Sequence, residues 1–581
     1  MPAKLGGLMQ RSVLAATALA CVFVIPATKA ADICTTTKTP DSLKYVQYFL
    51  SRAQDVPGCG MRVVNGRIVV QPSVTNPAVS CPDMFAWKLF AEAVTAQFWR
   101  NWAADQETWP GNGLTQDPGR PYALCSPGQP AGSCCNPDAA TNPGYDEPTY
   151  KAKYCPYFPG DHAMPAGGMP VRLGAPPSKA HTLGFAASPR FRAAFEREAT
   201  IAQQILEAPD PSKGRHIRQS MAEVVFRNKS FFDYVFRNDL YNTEGIVKVF
   251  SANATNIAGP NSSSGAPYRI AGGGGALAEI VFPADAVMIK SDWISRERAE
   301  EIGLHDDPQN PYVKMSITSP VLDDNGQILQ PGEHWLVAIH FSSKDIPNWV
   351  WTTFEHVNNP GRCDYTGCND SYGYASSDKV AVGQAHNYTR PHEICDGLLL
   401  PSYALDIGGI YPGGEQQPGL ADLFAALRIG TADNTSLVPQ STDRAWLSYR
   451  LKGAQVDFTD PTGRPTHLGN SVTEAGFVTT SSCMTCHARA GTDAAGTVPL
   501  PLGVFENGLT ESGYLPSSNG VPVADWYNKS GQPPSLQVLQ TDFAWGFLLA
   551  NPINPPSALA ARVQGPRELL SRSARERALG Q

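Results

Sequence analysis

The sequence is poor in charge: only 17% of its 581 residues are Asp, Glu, Lys or Arg. After the first thirty residues it also lacks any apolar run of the roughly 18–20 residues needed to span a bilayer. No integral membrane segment is therefore expected once that leader is removed. Gly-x-Ser-x-Gly and His-Glu-x-x-His are both absent, so the serine-hydrolase elbow and the zinc-protease helix are not candidates. The glycine run Gly272 to Gly275 is not followed by Lys-Ser or Lys-Thr, which leaves it a loop and not a phosphate cradle. A net charge of −7 argues against a nucleic-acid partner. No internal repeat is detectable. One further absence concerns the C-terminal part: no histidine and no methionine follows His487.

What is present begins with an export signal. Lys4 and Arg11 form a positive start, Ser12 to Val24 an apolar stretch, and Thr28-Lys29-Ala30 a small-residue cut with maturation at Ala31. Ala18-Leu19-Ala20-Cys21 faintly resembles a lipoprotein cut but lacks the usual leucine three places before the cysteine. The expected location is the periplasm, with full secretion also open. Gly (52) and Pro (50) are abundant while 42% of residues are hydrophobic, which describes a loop-rich folded protein and not a disordered one.

Of 13 cysteines, Cys21 lies in the leader, which leaves 12. Ten of these fall into two groups: Cys34, Cys59, Cys81, Cys125, Cys134, Cys135 and Cys155, then Cys363, Cys368 and Cys395. In an oxidising compartment they read as disulfides. Both groups are odd, so full pairing needs at least one bridge between them. A vicinal bridge is strained, so Cys134 and Cys135 are expected to take separate partners, and Cys363 to Cys368 to close a small loop.

The last two cysteines belong to Cys483-Met484-Thr485-Cys486-His487. This C-x-x-C-H is the attachment signature of c-type haem. Its thiols sit one helical turn apart and can both add to the vinyl groups of one porphyrin, and His487 supplies an axial imidazole. A zinc site of this kind wants a second C-x-x-C, which the chain lacks. A thioredoxin-like pair wants a βαβ setting, and a plain disulfide stays open. One covalent haem c, held by Cys483, Cys486 and His487, is the expectation.

Because no methionine or histidine follows His487, the haem segment is not expected to be a self-contained small cytochrome domain. A sixth ligand comes from upstream or the iron is open. His356 ends the aromatic run from Trp349 and is a candidate ligand or distal residue. His340 ends the apolar run from Trp335 and is a second candidate, and His467 a third. With an open iron, His356 or His340 would serve as acid–base residue and Glu355 could orient the imidazole. Met315 and Met288, in expected strands, read as core.

The expected fold class is α+β: a helical, disulfide-rich N-terminal region (31–240), a central antiparallel β region (241–410) and a C-terminal haem c segment (411–581), after the signal peptide (1–30). Helices are expected at Leu43 to Ala53, Met84 to Ala104, Pro189 to Glu207, His216 to Arg237, Leu420 to Arg428 and Ser557 to Leu579. Strands are expected at Arg62 to Val70, Gly245 to Ser251, Glu279 to Phe282, Val287 to Ser291, Val313 to Ile317, Trp335 to Phe341 and Arg444 to Phe458, with a turn at Asp323 to Gly326.

Several segments resemble a family of large exported bacterial monohaem c-type cytochrome proteins. They are Trp349 to Asn359 (WVWTTFEHVNN), Leu468-Gly469-Asn470, Ser481 to His487 (SSCMTCH), the Phe85 to Phe90 run and Asp542 to Trp545. The likeness spans most of the mature chain apart from 110–180. It implies export and one haem c, and lends no particular reaction. Three functions stay open: electron transfer to a redox partner protein, a peroxidase- or oxygenase-like oxidoreductase acting on a small organic substrate at an open iron, and a haem-based sensor or binding protein.

Overall fold

Alternation of apolar and polar side chains along a few strands sets out the centre of the protein. The structure is a computed structural model. It describes residues 55–162 apart from 72–73, 111–119, 131 and 146–153; 217 and 221–257; 277–375 apart from 318–320, 323–327, 330, 364–367 and 369; 391–395 and 398–401; 410–459 apart from 412 and 435; 466–496 apart from 467 and 476–480; and 520–554 apart from 523. The expected helices at Leu43 to Ala53, Pro189 to Glu207 and Ser557 to Leu579, the Asp323 to Gly326 turn, Cys34 and His467 lie outside these residues.

In chain order, β1 (Met61–Val64) and β2 (Arg67–Val70) form a hairpin. Asn65 and Gly66 both have positive φ (51° and 74°), the two-residue turn that Asn-Gly favours. Helix α1 (Pro82–Thr95) follows, with Pro82 in its first turn and ten apolar or small side chains buried besides Asp83. The Asp55 carboxylate accepts from the Asp83 and Met84 amides (2.9 and 3.0 Å), so a distant acid caps the helix. Gln97, at φ 50°, breaks it, and Phe98–Asn101 is a separate turn, so the helix expected to Ala104 ends early.

Strand β3 (Met221–Arg227) stands where a helix from His216 was expected. Ala222, Val224 and Phe226 alternate onto one apolar cluster, and strand period prevails over the helical reading. Helix α2 (Lys229–Arg237) starts at Asn228, whose side chain accepts from Phe231 N. Helix α3 (Thr243–Ile257) replaces an expected strand: Ile246, Val249, Phe250 and Ile257 share a helical face, although Ile and Val are β-branched. Next come β4 (Val287–Ser295), β5 (Lys314–Ile317), β6 (Gly332–Ser343) and β7 (Val350–His356), then α4 (Pro418–Leu427), β8 (Tyr449–Gln455) and the short α5 (Cys483–His487). Residues 279–282, expected as a strand, are not in one.

The main sheet is antiparallel in the order β8-β7-β6-β4-β3, with β5 on the first part of β6. It draws strands from all three expected regions, so the boundaries at 240 and 410 do not separate sheets. Register fixes its faces. Val224, Ser291, Ile339 and Phe354 form one cross-strand row, and Phe226, Ile289, Phe341 and Thr352 another. These rows meet α1, where Trp87 lies edge-on to Phe354 (4.8 Å) and Phe90 packs on Phe354 and Trp446. Fully burying each such ring contributes roughly 1.5–3 kcal/mol.

Four disulfides lie among the described residues: Cys59–Cys81, Cys125–Cys134, Cys135–Cys155 and Cys363–Cys368. Cys134 and Cys135 take separate partners, as strain requires. All four bridges stay within their sequence groups. The fold is mixed helix and antiparallel sheet. Among the described residues no helix is long and apolar enough to cross a membrane.

Candidate functional site

The other face of the sheet is polar. Val225, Lys290, His340 and Thr353 form one cross-strand row, and Glu223, Asp292, Ala338 and Glu355 the next. Below them, Arg227, Met288, Ser342 and Trp351 lead to a second cluster that contains Met484 and Phe543. Residues 468–475 lie on this face, and residues 481–490 carry the C-x-x-C-H turn.

Hydrogen bonds seat that segment. Asn470 donates to Thr353 Oγ1 (2.9 Å) while its Oδ1 accepts from Val472 and Thr473 amides. Ser471 donates to Glu355 from its amide (2.8 Å) and its hydroxyl. Gln455 bonds Thr466 and the Ser482 hydroxyl, and accepts from Met484 N (2.9 Å). Ser482 caps α5 by accepting from Thr485 N. The short segments singled out in the sequence thus meet around β7.

Within α5 the burial is split by chemistry. Met484 and Thr485 are buried, whereas Cys483, Cys486 and His487 are half-buried and carry the reactive atoms. Among the described residues whose side chains are placed, Cys483 and Cys486 are the two cysteines outside any disulfide. This disfavours the plain-disulfide alternative. Burial, reinforced by the charge of Glu474, pushes the Cys483 thiol well above its ordinary range. That is the opposite of the lowered thiol a thioredoxin-like exchange pair needs.

His487 Nδ1 lies 2.8 Å from the Phe543 carbonyl. A carbonyl only accepts, so Nδ1 carries the proton and Nε2 the lone pair. This is the tautomer and the outer-shell bond that an axial imidazole uses. The carbonyl is held with care. Asp542 and Phe543 both have positive φ (45° and 68°), a strained pair for such residues. Asp542 accepts from Lys344 Nζ (2.6 Å), Phe282 N (2.7 Å) and Trp349 Nε1 (3.4 Å), which together fix that backbone. Trp351 packs on the His487 ring at 4.3 Å between centroids. Two thiols one turn apart, an imidazole in the right tautomer and an aromatic wall fit a covalently attached haem.

The upstream candidates separate. His356 lies on the apolar side of β7 with Val350 and Phe354, away from Trp351. It is fully buried and stacks on Tyr312 at 3.6 Å. Its Nδ1 accepts from Asn358 N (3.2 Å) and its Nε2 lies 3.4 Å from the Pro311 carbonyl. Burial holds its pKa down to about 3. This corrects its expected place as ligand or distal residue: strand alternation turns it from the motif, and both ring nitrogens face backbone partners. Glu355 points to the other face, where Lys452 Nζ (3.2 Å) and Ser471 engage it, so it does not orient His356. Adjacent strand residues cannot share a face.

His340 does lie on the motif side. Its Nε2 is 2.9 Å from Thr473 Oγ1 and 4.0 Å from Glu474. Met288 shares that side, whereas Met315 is in the apolar core. Sequence reading missed Asp542, Lys344, Asn470, Thr473 and Asp292, whose roles depend on partners over a hundred residues away. The Leu468-to-Asn470 and Asp542-to-Trp545 runs were the signals pointing to two of these.

No protein-family model, curated protein or solved structure matches the chain.

Proposed function

We propose that this chain is an exported haem c redox protein, with one haem joined by thioethers to Cys483 and Cys486 and ligated by His487. The single observation carrying this reading is the α5 turn: two thiols outside any disulfide beside an imidazole whose tautomer the Phe543 carbonyl fixes. Haem would supply a one-electron centre there. Around it, Trp351 walls the imidazole, Asp542 and Lys344 hold the Phe543 carbonyl, and residues 468–474 shield the polar face. Periplasmic electron transfer with a redox partner protein is the first form of this reading. The resemblance to large exported bacterial monohaem c-type cytochrome proteins agrees with it.

The second form is an oxidoreductase acting on a small organic substrate. It is favoured by the acid–base groups His340, Asp292 and Glu474 on the same face as the motif, which electron carriage alone does not need. Visible spectra of the protein exported from a haem c-competent host, oxidised and reduced, with and without carbon monoxide, separate these. A low-spin spectrum unmoved by carbon monoxide supports electron transfer. A high-spin spectrum that binds carbon monoxide supports the enzyme or a sensor. A spectrum with no haem, beside a correctly matured control, rejects the proposal.

A further inference from the structure

Above β4 and β6 the side chains form an ordered line. Thr473 Oγ1 donates to Asp292 Oδ2 and lies 2.9 Å from His340 Nε2. A hydroxyl has one proton. Because Asp292 takes it, Thr473 can only accept from His340, so Nε2 carries a proton and Nδ1 is the basic atom. Asp292 thereby sets the tautomer of His340 through a hydroxyl, as a carboxylate sets that of a catalytic histidine directly. His340 and Thr473 are both nearly or fully buried, so the arrangement is held by packing as well as by hydrogen bonds.

The charges facing His340 can be named element by element. From β4 come Lys290, its cross-strand neighbour, and Asp292. Glu223 on β3 pairs with Lys290 at 3.3 Å. From β7, Thr353 lies opposite, and Glu355 beyond it pairs with Lys452 of β8 at 3.2 Å. From the covering segment comes Glu474, 4.0 Å from Nε2. Lys290 and Lys452 are thus each matched by a glutamate, while Asp292 and Glu474 favour a proton on the imidazole. Lys290 and Glu474 also act electrostatically on Cys483. Glu474 and Lys290, which flank His340, thus tie its electrostatics to the thiol side of α5.

We propose that His340 is the proton-exchanging group of this site, held in register by Thr473 and Asp292, and that it takes up one proton when the centre on α5 gains one electron. The inference rests on the haem reading above. The electron comes from a one-electron reductant, the proton from solvent, and it is stored on His340 Nδ1; oxidation returns both. His340 is the exchanging group, and Thr473 and Asp292 are positioning residues. Such coupling suits partners or substrates that lose a proton with each electron.

The test is the midpoint potential of the haem-loaded full chain, titrated with dithionite and mediators from pH 5 to 9. One proton per electron lowers the potential by up to about 59 mV per pH unit within the window between the oxidised- and reduced-state pKa values. His340→Gln is expected to flatten that slope, Thr473→Ser to keep it, and Thr473→Val and Asp292→Asn to move its window. A flat profile in the wild-type chain, or an unchanged slope in His340→Gln, overturns the relay while the haem reading stands. A chain without covalent haem overturns both.

Discussion

The two faces of the central sheet are made of alternate residues of the same strands, yet they are built to different ends. On one, Val224, Ile289, Phe341 and Phe354 meet Trp87 and Phe90 of α1 and do nothing but exclude water. On the other, Asp292, His340, Thr353, Glu355 and Lys452 stay buried and Lys290 half-buried, held through ion pairs and hydrogen bonds, several of them to residues 468–474. Burying those groups without partners would be costly. A fold needs only the first face. The second is the arrangement expected where a site must hold charge and place protons. The lesson is that His340 and His356, which look alike in sequence, are separated by which side of a strand they take.

The comparison breaks most severely on the apolar face. Phe90→Ala is expected to cost about 3–5 kcal/mol in denaturant unfolding, with the visible spectrum of the folded fraction unchanged. On the polar face, Lys452→Met leaves Glu355 buried and uncompensated, and a loss of about 3–5 kcal/mol is expected. There the double variant Glu355→Leu with Lys452→Met is expected to recover most of it, which no second change does for Phe90. If the double variant recovers nothing, the pair is not what holds that face.

Histidine substitutions sharpen the contrast. His356→Asn is expected to lower the melting temperature and leave the visible spectrum of the haem-loaded protein unmoved. A spectral change as large as that of a lost ligand would put His356 back at the iron.

The gentlest expected effect concerns pH, at the far end of the apolar face. Asp55, Asp83 and Asp370 lie together near the start of α1. Burial raises Asp55 to about 7 and Asp370 to about 6, and raises Asp83 well above its ordinary value. An acid with a raised folded pKa contributes stability that is present below its unfolded value and lost as pH rises through the folded one. These three therefore weaken the fold between about pH 4 and 7. His356 acts in the opposite sense: held near 3, it stays neutral in the folded chain while the unfolded chain protonates below about 6.5. Because the two terms oppose, the variant difference is the cleaner measure. The stability of Asp55→Asn relative to wild type is expected to rise between about pH 4 and 7. A difference independent of pH would place the titration elsewhere.

Much of this was legible in the sequence, for physical reasons. The strands at Val287, Val313 and Trp335 announce themselves by β-branched and aromatic runs, and the C-x-x-C-H by its spacing. The Asn65-Gly66 hairpin signal was there and was read through as one strand. Met221 to Arg227 carries apolar residues that satisfy helical and strand periods alike, and pairing with β4 decides between them. Thr243–Ile257 has β-branched residues on a helical face, where tertiary burial outweighs local preference. The site was legible only in its C-x-x-C-H and the short runs around it. Thr473 and Asp292 carry no local motif, and the Asp542-to-Trp545 run does not show what Asp542 does, because their roles come from partners that only folding brings near.

The central claim, that the α5 turn is the attachment point of one haem, is tested most directly by the intact mass of the exported chain after denaturation. Wild type is expected to carry the added mass of one haem, retained on a denaturing gel, and the Cys483→Ala, Cys486→Ala double variant to carry none. A wild-type chain at its bare polypeptide mass from a competent host, or haem still covalently held by the double variant, would contradict it.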